Sequence, residues 1–359
     1  MMNFYEHGGN VYSAAKRLNV AINKIIDLSS NVLPFNILDD LLSKKMIDKK
    51  EIFNILTKLP SPYSIELTLK LAETFNLPEQ NILIGSGTTE FIQIICSLYR
   101  KKKALIFIPT YSDYEKFLHL NNVKIEYILA LENNNYEHNL VTSTPINADI
   151  SFICNPNNPT GFIFNSKDLL HMIRNHENTL FILDESYMHF VKHFSKYSLN
   201  GTSLENVLVL NSFSKIYGLP GLRIGWAYSK NKTLLDKIKS HQSAWAVNSL
   251  AQYLVTRLLD YSMDFYFEKL ENNKKYLYHN LLTFKNVKIY KSSANFYMFK
   301  YLRNNPEKMY NYFYSNRILL RNLENIRGLN NRYFRISVST KENIDCFLNT
   351  LKEFIQHEL

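Results

Sequence analysis

One amine in this chain sits among groups that could put it to chemical use. Lys215 lies in Ser212-Phe213-Ser214-Lys215-Ile216-Tyr217-Gly218-Leu219-Pro220-Gly221-Leu222-Arg223, directly after the apolar run Val207-Leu208-Val209-Leu210. A lysine considered alone is a solvated surface charge. This one falls in the turn between a buried strand and a Gly/Pro-rich loop, with two hydroxyls before it and Arg223 after it. An amine so placed can form an imine with an aldehyde, while Ser212, Ser214 and Arg223 bond the oxygens of a phosphate. A ligand carrying both groups would use all four residues, and a purely structural loop would not require the combination.

Four further stretches fit the same ligand. Leu183-Asp184-Glu185-Ser186-Tyr187 ends another apolar run in an acidic pair. Asp after a strand is a common helix N-cap, but a carboxylate there can also keep a pyridine nitrogen protonated, so that the ring serves as an electron sink. Tyr187 could then donate to the ring's 3-oxygen. Cys154-Asn155-Pro156-Asn157-Asn158-Pro159-Thr160-Gly161 follows a third run. Asn, Pro and Gly in succession often make only a turn, yet the order Asn-Asn-Pro-Thr-Gly is rarer and offers a rigidly held amide to that oxygen. Gly85-Ser86-Gly87-Thr88-Thr89-Glu90 lies between a strand and a helix, where backbone N–H groups can meet an anion. Many helices begin this way. Pro109-Thr110-Tyr111 offers a ring to stack on a flat heterocycle, and in isolation it reads as core packing. Each stretch has an ordinary structural explanation, but five in this order, each at the end of an apolar run, make coincidence a poor account.

The runs that must carry these groups are residues 82–84, 104–108, 125–129, 150–154, 180–183 and 207–210. Nearly continuous Ile, Leu and Val fit strands covered on both faces, so the spacing predicts an α/β fold with a largely parallel sheet and ligands at its strand ends. Beyond about residue 235 the pattern changes. Helical stretches lead to short strands at 287–290, 296–299 and 334–338, and a final helix runs from Lys341 to near Ile355. The expected division is a large cofactor-binding α/β domain over 45–240 and a small α+β domain from 1–44 plus 241–359. The first 40 residues have no core of their own and should pack against the C-terminal lobe.

Composition excludes several classes. With 46% hydrophobic and 21% charged residues, the 359-residue chain has a globular balance, and its longest apolar stretches fall far short of the roughly 20 residues of a membrane helix. The N-terminus has neither a basic start nor an apolar signal core. Cys96, Cys154 and Cys346 form no CxxC pair, which fits a reduced, cytoplasmic setting. No metal site is expected. The formal charge of +10 is spread out, and its densest run, Arg100-Lys101-Lys102-Lys103, suits a helix end. An anionic small substrate is therefore expected ahead of nucleic acid.

With these motifs in place, the chain resembles the fold-type I pyridoxal 5′-phosphate (PLP) enzymes over nearly its whole length, in the branch of the histidinol-phosphate aminotransferases. The resemblance implies Lys215 as the Schiff-base lysine and Asp184 as the partner of the pyridine nitrogen. It implies Asn158 and Tyr187 at the 3-oxygen and Tyr111 as the stacking ring. Gly87, Thr88, Thr89, Ser212, Ser214 and Arg223 would form the phosphate cup, and a homodimer would hold both active sites at its interface.

His7-Gly8-Gly9-Asn10, Asp27-Leu28-Ser29-Ser30-Asn31, Trp245-Ala246-Val247-Asn248, Arg317-Ile318-Leu319-Leu320-Arg321 and Arg332-Tyr333-Phe334-Arg335 are more similar to the L-threonine-O-3-phosphate decarboxylases of cobalamin synthesis. That resemblance implies loss of CO₂ from a phosphorylated hydroxy-amino acid, O-phospho-L-threonine or O-phospho-L-serine. Arg321 and Arg335 would bind its carboxylate and phosphate in either order, since a planar guanidinium grips both anions. His7, Gly8, Asn31 and Asn158 would be further substrate contacts. Two positions depart from the pattern: Leu59 replaces a tyrosine that usually reaches the neighbouring subunit's cofactor, with Tyr63 nearby, and Leu33 replaces a polar residue. A histidinol-phosphate aminotransferase and a non-catalytic PLP-binding protein are the competing readings.

Overall fold

The computed structural model describes residues 7–138 and 146–357. Its main sheet has seven strands: β1 (Ile82–Gly85), β2 (Lys103–Ile108), β3 (Lys124–Leu129), β4 (Ile150–Cys154), β5 (Leu180–Asp184), β6 (Val207–Ser212) and β7 (Gly225–Tyr228). Across the sheet the order is β1-β7-β6-β5-β4-β2-β3. Only β7 runs against the others. The Ile/Leu/Val runs of β4, β5 and β6 are buried along their whole length, as strands covered on both faces must be. β3 departs from that expectation. As the edge strand it alternates partly buried and exposed residues, and Leu129 faces out. β7 was not foreseen: four residues opening with glycine give little periodic signal.

The second sheet has four antiparallel strands, β8 (Val287–Ile289), β9 (Phe296–Tyr301), β10 (Arg321–Asn322) and β11 (Tyr333–Ser337), in the order β10-β11-β9-β8. The early chain packs onto this region, as its lack of a core predicted. Ile26–Asp27 pairs in parallel with Ile318–Leu319, and the Leu28 carbonyl accepts from Ser337 N at 2.9 Å. The same segment also reaches the main sheet's loops, where Leu33 N donates to the Lys215 carbonyl at 2.9 Å. Two helices matter for the site: α1 (Thr88–Leu98) after β1, and α2 (Ser112–Leu120) after β2. The last helix, Lys341–His357, runs slightly beyond its expected end. No helix among the described residues is long and apolar enough to cross a membrane.

Candidate active site

Parallel strands share a carboxyl edge, and the register sets the five motifs along it. Gly85 and Ser212 both pair with Gly225, while Cys154 pairs with Asp184. The ends of β1, β4, β5 and β6 and the start of β7 therefore lie together, with Tyr111 following β2.

Gly87 shows why the first motif needs glycine. Its φ is +78°, and a Cβ there would stand 3.0 Å from Arg223 Nη2. Arg223, itself left-handed at φ +50°, thus comes up to the N-terminus of α1, where unpaired N–H groups and a guanidinium together suit a phosphate. Thr88 and Thr89 occupy the first turn of α1, and Thr88 Oγ1 is 3.5 Å from Ser186 Oγ. Ser212 is buried at the end of β6. Ser214 faces elsewhere: its hydroxyl lies 3.3 Å from Ile224 O and 3.4 Å from Ile224 N, closing the loop between the lysine and the arginine.

Lys215 is half-buried on the short helix Phe213–Ile216. Burial, then the nearby Arg335 and Arg223, push its pKa down to about 8 against the pull of Asp184. Asp184 is 5% exposed and accepts from Tyr114 Oη at 2.6 Å and Ser186 N at 3.0 Å. Its neighbour Glu185 is committed elsewhere. Glu185 accepts from Ser198 Oγ and Leu199 N, and burial pushes its pKa up to about 8, so it holds a loop. Tyr187 packs edge-on against Phe296 with centroids 5.1 Å apart, and its hydroxyl accepts from Asn31 Nδ2 at 3.5 Å. Burial raises its pKa to about 12, although Arg335 acts the other way, so it remains a hydroxyl donor at neutral pH.

Arg335 is buried in the middle of β11. Nη1 donates to Asn158 Oδ1 at 2.5 Å and Nη2 to the Ser29 carbonyl at 2.7 Å, while buried Nε has no hydrogen-bond partner among the described residues. None of the ion pairs among those residues involves it. A buried cation without an anion is costly. Arg321 is its cross-strand partner in the β10–β11 ladder, which sets two guanidinium residues on neighbouring strands. Arg321 donates to Asn322 O at 2.7 Å and Asn325 Oδ1 at 2.8 Å. At the other side, His7 Nε2 is 3.1 Å from Asp113 Oδ1, and a Cβ on Gly8 would run into the Ser29 carbonyl. Asn31, 2% exposed, accepts from Ser337 Oγ at 2.8 Å. Tyr111 donates to Asp113 Oδ2 at 2.8 Å.

The profile of the family Aminotransferase class I and II matches residues 23–351. The chain belongs to the class I and II aminotransferase family. Enzymes of this family bind PLP. The chain is 30% identical over 371 residues to the adenosylcobalamin biosynthesis bifunctional protein of Leptospira interrogans, covering 97% of this chain but only 41% of that longer protein. It is 26% identical over 362 residues to the histidinol-phosphate aminotransferase of Methanocaldococcus jannaschii, covering 98% and 95% of the two chains. The crystal structure of L-threonine-O-3-phosphate decarboxylase from Porphyromonas gingivalis superposes with a TM-score of 0.81 at 25% identity, covering 92% of this chain and all of that one.

The residues present fit the family's cofactor. Gly87 leaves the space a Cβ would fill beside Arg223, α1 opens its N-terminus there, and the Lys215 amine is depressed toward the neutral form that attacks an aldehyde. Three neighbours of the aminotransferase-family site had no signal as site residues in the sequence. Tyr114, which holds Asp184, is a helix-interior tyrosine stacked on Phe152. Ser29 meets both Arg335 and Gly9, whose N donates to its hydroxyl. Asp113 bridges His7 and Tyr111, and only its place two residues after Tyr111 hinted at this.

Proposed function

We propose that the chain is a PLP-dependent decarboxylase of an O-phosphorylated hydroxy-amino acid, O-phospho-L-threonine or O-phospho-L-serine. The product would be the amino-alcohol phosphate that links the cobamide nucleotide loop. The observation that carries this reading is the Arg321–Arg335 cross-strand pair, with Arg335 buried and in none of the ion pairs among the described residues. A substrate bearing both a carboxylate and a phosphate suits two guanidinium groups on neighbouring strands.

PLP, when bound, supplies the electron sink for the bond broken at Cα. Every other part falls to this chain's side chains. Asp184, its carboxylate fixed by Tyr114, would hold the ring nitrogen, and Tyr187 and Asn158 would hold the 3-oxygen. Arg223, Ser212 and the N-terminus of α1 would receive the cofactor phosphate. One of Arg321 and Arg335 takes the substrate carboxylate and the other, with His7, its phosphate. Fixing both ends of the substrate sets its orientation, so that the bond to the carboxylate rather than the Cα–H bond would be the one the cofactor activates. Lys215 Nζ then returns a proton to Cα. The single methyl separating the two substrates is worth about 1–3 kcal/mol in an apolar pocket, so discrimination should be modest.

The deciding experiment incubates the PLP-loaded protein with O-phospho-L-threonine, with O-phospho-L-serine, and with histidinol phosphate plus 2-oxoglutarate. CO₂ from a phospho-amino acid is the expected result. Glutamate from the third mixture without CO₂ from the others would make the chain a histidinol-phosphate aminotransferase, the reading favoured by its likeness to the Methanocaldococcus enzyme.

We also propose that the enzyme works as a homodimer. Phe53, Leu56, Leu59, Ile65, Leu69 and Trp245 are all exposed, an apolar concentration that suits burial against a second copy. Sedimentation should give twice the 42.2 kDa chain mass, and Leu59→Asp with Ile65→Asp should shift it to the monomer. An unchanged dimer in the double variant would place the interface elsewhere.

A further inference from the structure

The first turn of α2 carries a buried carboxylate with no part in the chemistry above. We infer that Asp113 is a positioning residue that fixes the imidazole of His7 against Tyr111 and so sets affinity for the phosphate of the substrate. This rests on reading His7 as a substrate contact.

Asp113 is 5% exposed, and burying a carboxylate is costly unless it is matched. Its two oxygens are divided between two elements. Oδ2 accepts from Tyr111 Oη at 2.8 Å. Oδ1 stands 3.1 Å from His7 Nε2, at ion-pair distance, and takes no hydrogen bond among the described residues. Burial raises the pKa of Asp113, but His7 and Tyr111 bring it below the ordinary carboxylate value, so it is an anion facing the imidazole.

The segment bearing His7 is anchored at a second point, but only through its backbone. Gly8 presses on the Ser29 carbonyl, and Gly9 N donates to Ser29 Oγ at 2.8 Å. Asp27 locks that turn by accepting from Ser29 N at 2.9 Å and Ser29 Oγ at 2.6 Å, while the Ser29 carbonyl receives Arg335 Nη2. Residues 7–9 thus span from Tyr111 to the Arg335 anchor. Ser29 fixes the chain path, while Asp113 and the Tyr111 ring, whose centroid is 5.7 Å from that of the imidazole, hold the ring.

Asp113 faces Nε2, and an anion there favours the ring orientation that points this edge of the imidazole at it. Nδ1, on the other edge of the ring, has no partner among the described residues. With Nε2 held toward Asp113, the Nδ1 edge is the one left to meet a phosphate oxygen of the substrate. Without Asp113 the ring would be free to turn and to present either edge to the anion.

The test compares PLP-loaded wild type, Asp113→Asn, His7→Ala and the double variant. The substrate is whichever of O-phospho-L-threonine, O-phospho-L-serine and histidinol phosphate the wild type turns over. Asp113→Asn keeps the shape and an acceptor for Tyr111, so its melting temperature controls for folding. The expected result is a KM raised about tenfold with kcat within about twofold, a similar rise for His7→Ala, and no further rise in the double variant. A raised KM in His7→Ala with an unchanged KM in Asp113→Asn, or additive effects in the double variant, would overturn the role of Asp113 while leaving His7 as a contact. An unchanged KM in His7→Ala would overturn the reading of His7 and the inference with it.

Discussion

Lys215→Ala is expected to lower turnover by about 10⁴-fold, the upper end of what a positioned proton-transfer group contributes, since the variant also loses its covalent hold on the cofactor. PLP should still bind, because Arg223, the N-terminus of α1 and Asp184 remain, but gel filtration should strip it from the variant and not from wild type. Retained yellow colour and turnover within tenfold of wild type would remove Lys215 from its role. The pH dependence follows from its surroundings. Burial and two guanidinium groups lower the lysine pKa to about 8, so the neutral, attacking amine predominates above that pH. Capture of PLP by cofactor-free wild type should therefore accelerate as pH rises through about 8 and then level off. A rate still climbing near the ordinary lysine pKa of about 10.4 would mean that the site leaves the amine unperturbed.

Arg335→Leu should cost about 10³-fold in kcat/KM for the phosphorylated substrate, the scale of removing one partner from a buried charge pair that forms when substrate binds. Arg335→Lys should recover little, because a point ammonium cannot hold Asn158 Oδ1, the Ser29 carbonyl and an anion at once. Stability should respond differently. Removing a buried cation that forms no ion pair among the described residues relieves a desolvation cost, while the two acceptors it served lose their donor. The melting temperature should therefore move little while catalysis collapses, a split that a merely structural arginine would not give. Retention of kcat/KM within tenfold would remove Arg335 from substrate binding. The same variant should raise the pKa of Lys215, since Arg335 lowers it, and so move the pH profile of PLP capture upward.

Much of the main sheet was legible because buried parallel strands are written as continuous runs. Residues 150–154 and 180–183 needed no partner to be recognised, and the polar motif closing each run marked the carboxyl edge. Lys215, Asp184 and Asn158 could be nominated for the same reason: each lies at or within a few residues of the end of its strand, so local sequence carries both the element and the group. Three things were decided only by the tertiary structure. β7 was invisible because four residues beginning with glycine become a strand only between β1 and β6. The edge position of β3 was invisible because the run 125–129 does not say which neighbour it lacks.

The third is the set of side chains that hold the site residues in place. Tyr114 reaches Asp184 across 70 positions, Ser29 reaches Arg335 across 306, and Asp113 meets His7 only because the early chain crosses back over α2. The residue types at strand ends, read in order, determined the chemistry this protein can host. Which side chains hold those groups in place depends on contacts between distant segments, and a pairwise contact leaves no periodicity in either segment for a sequence to display.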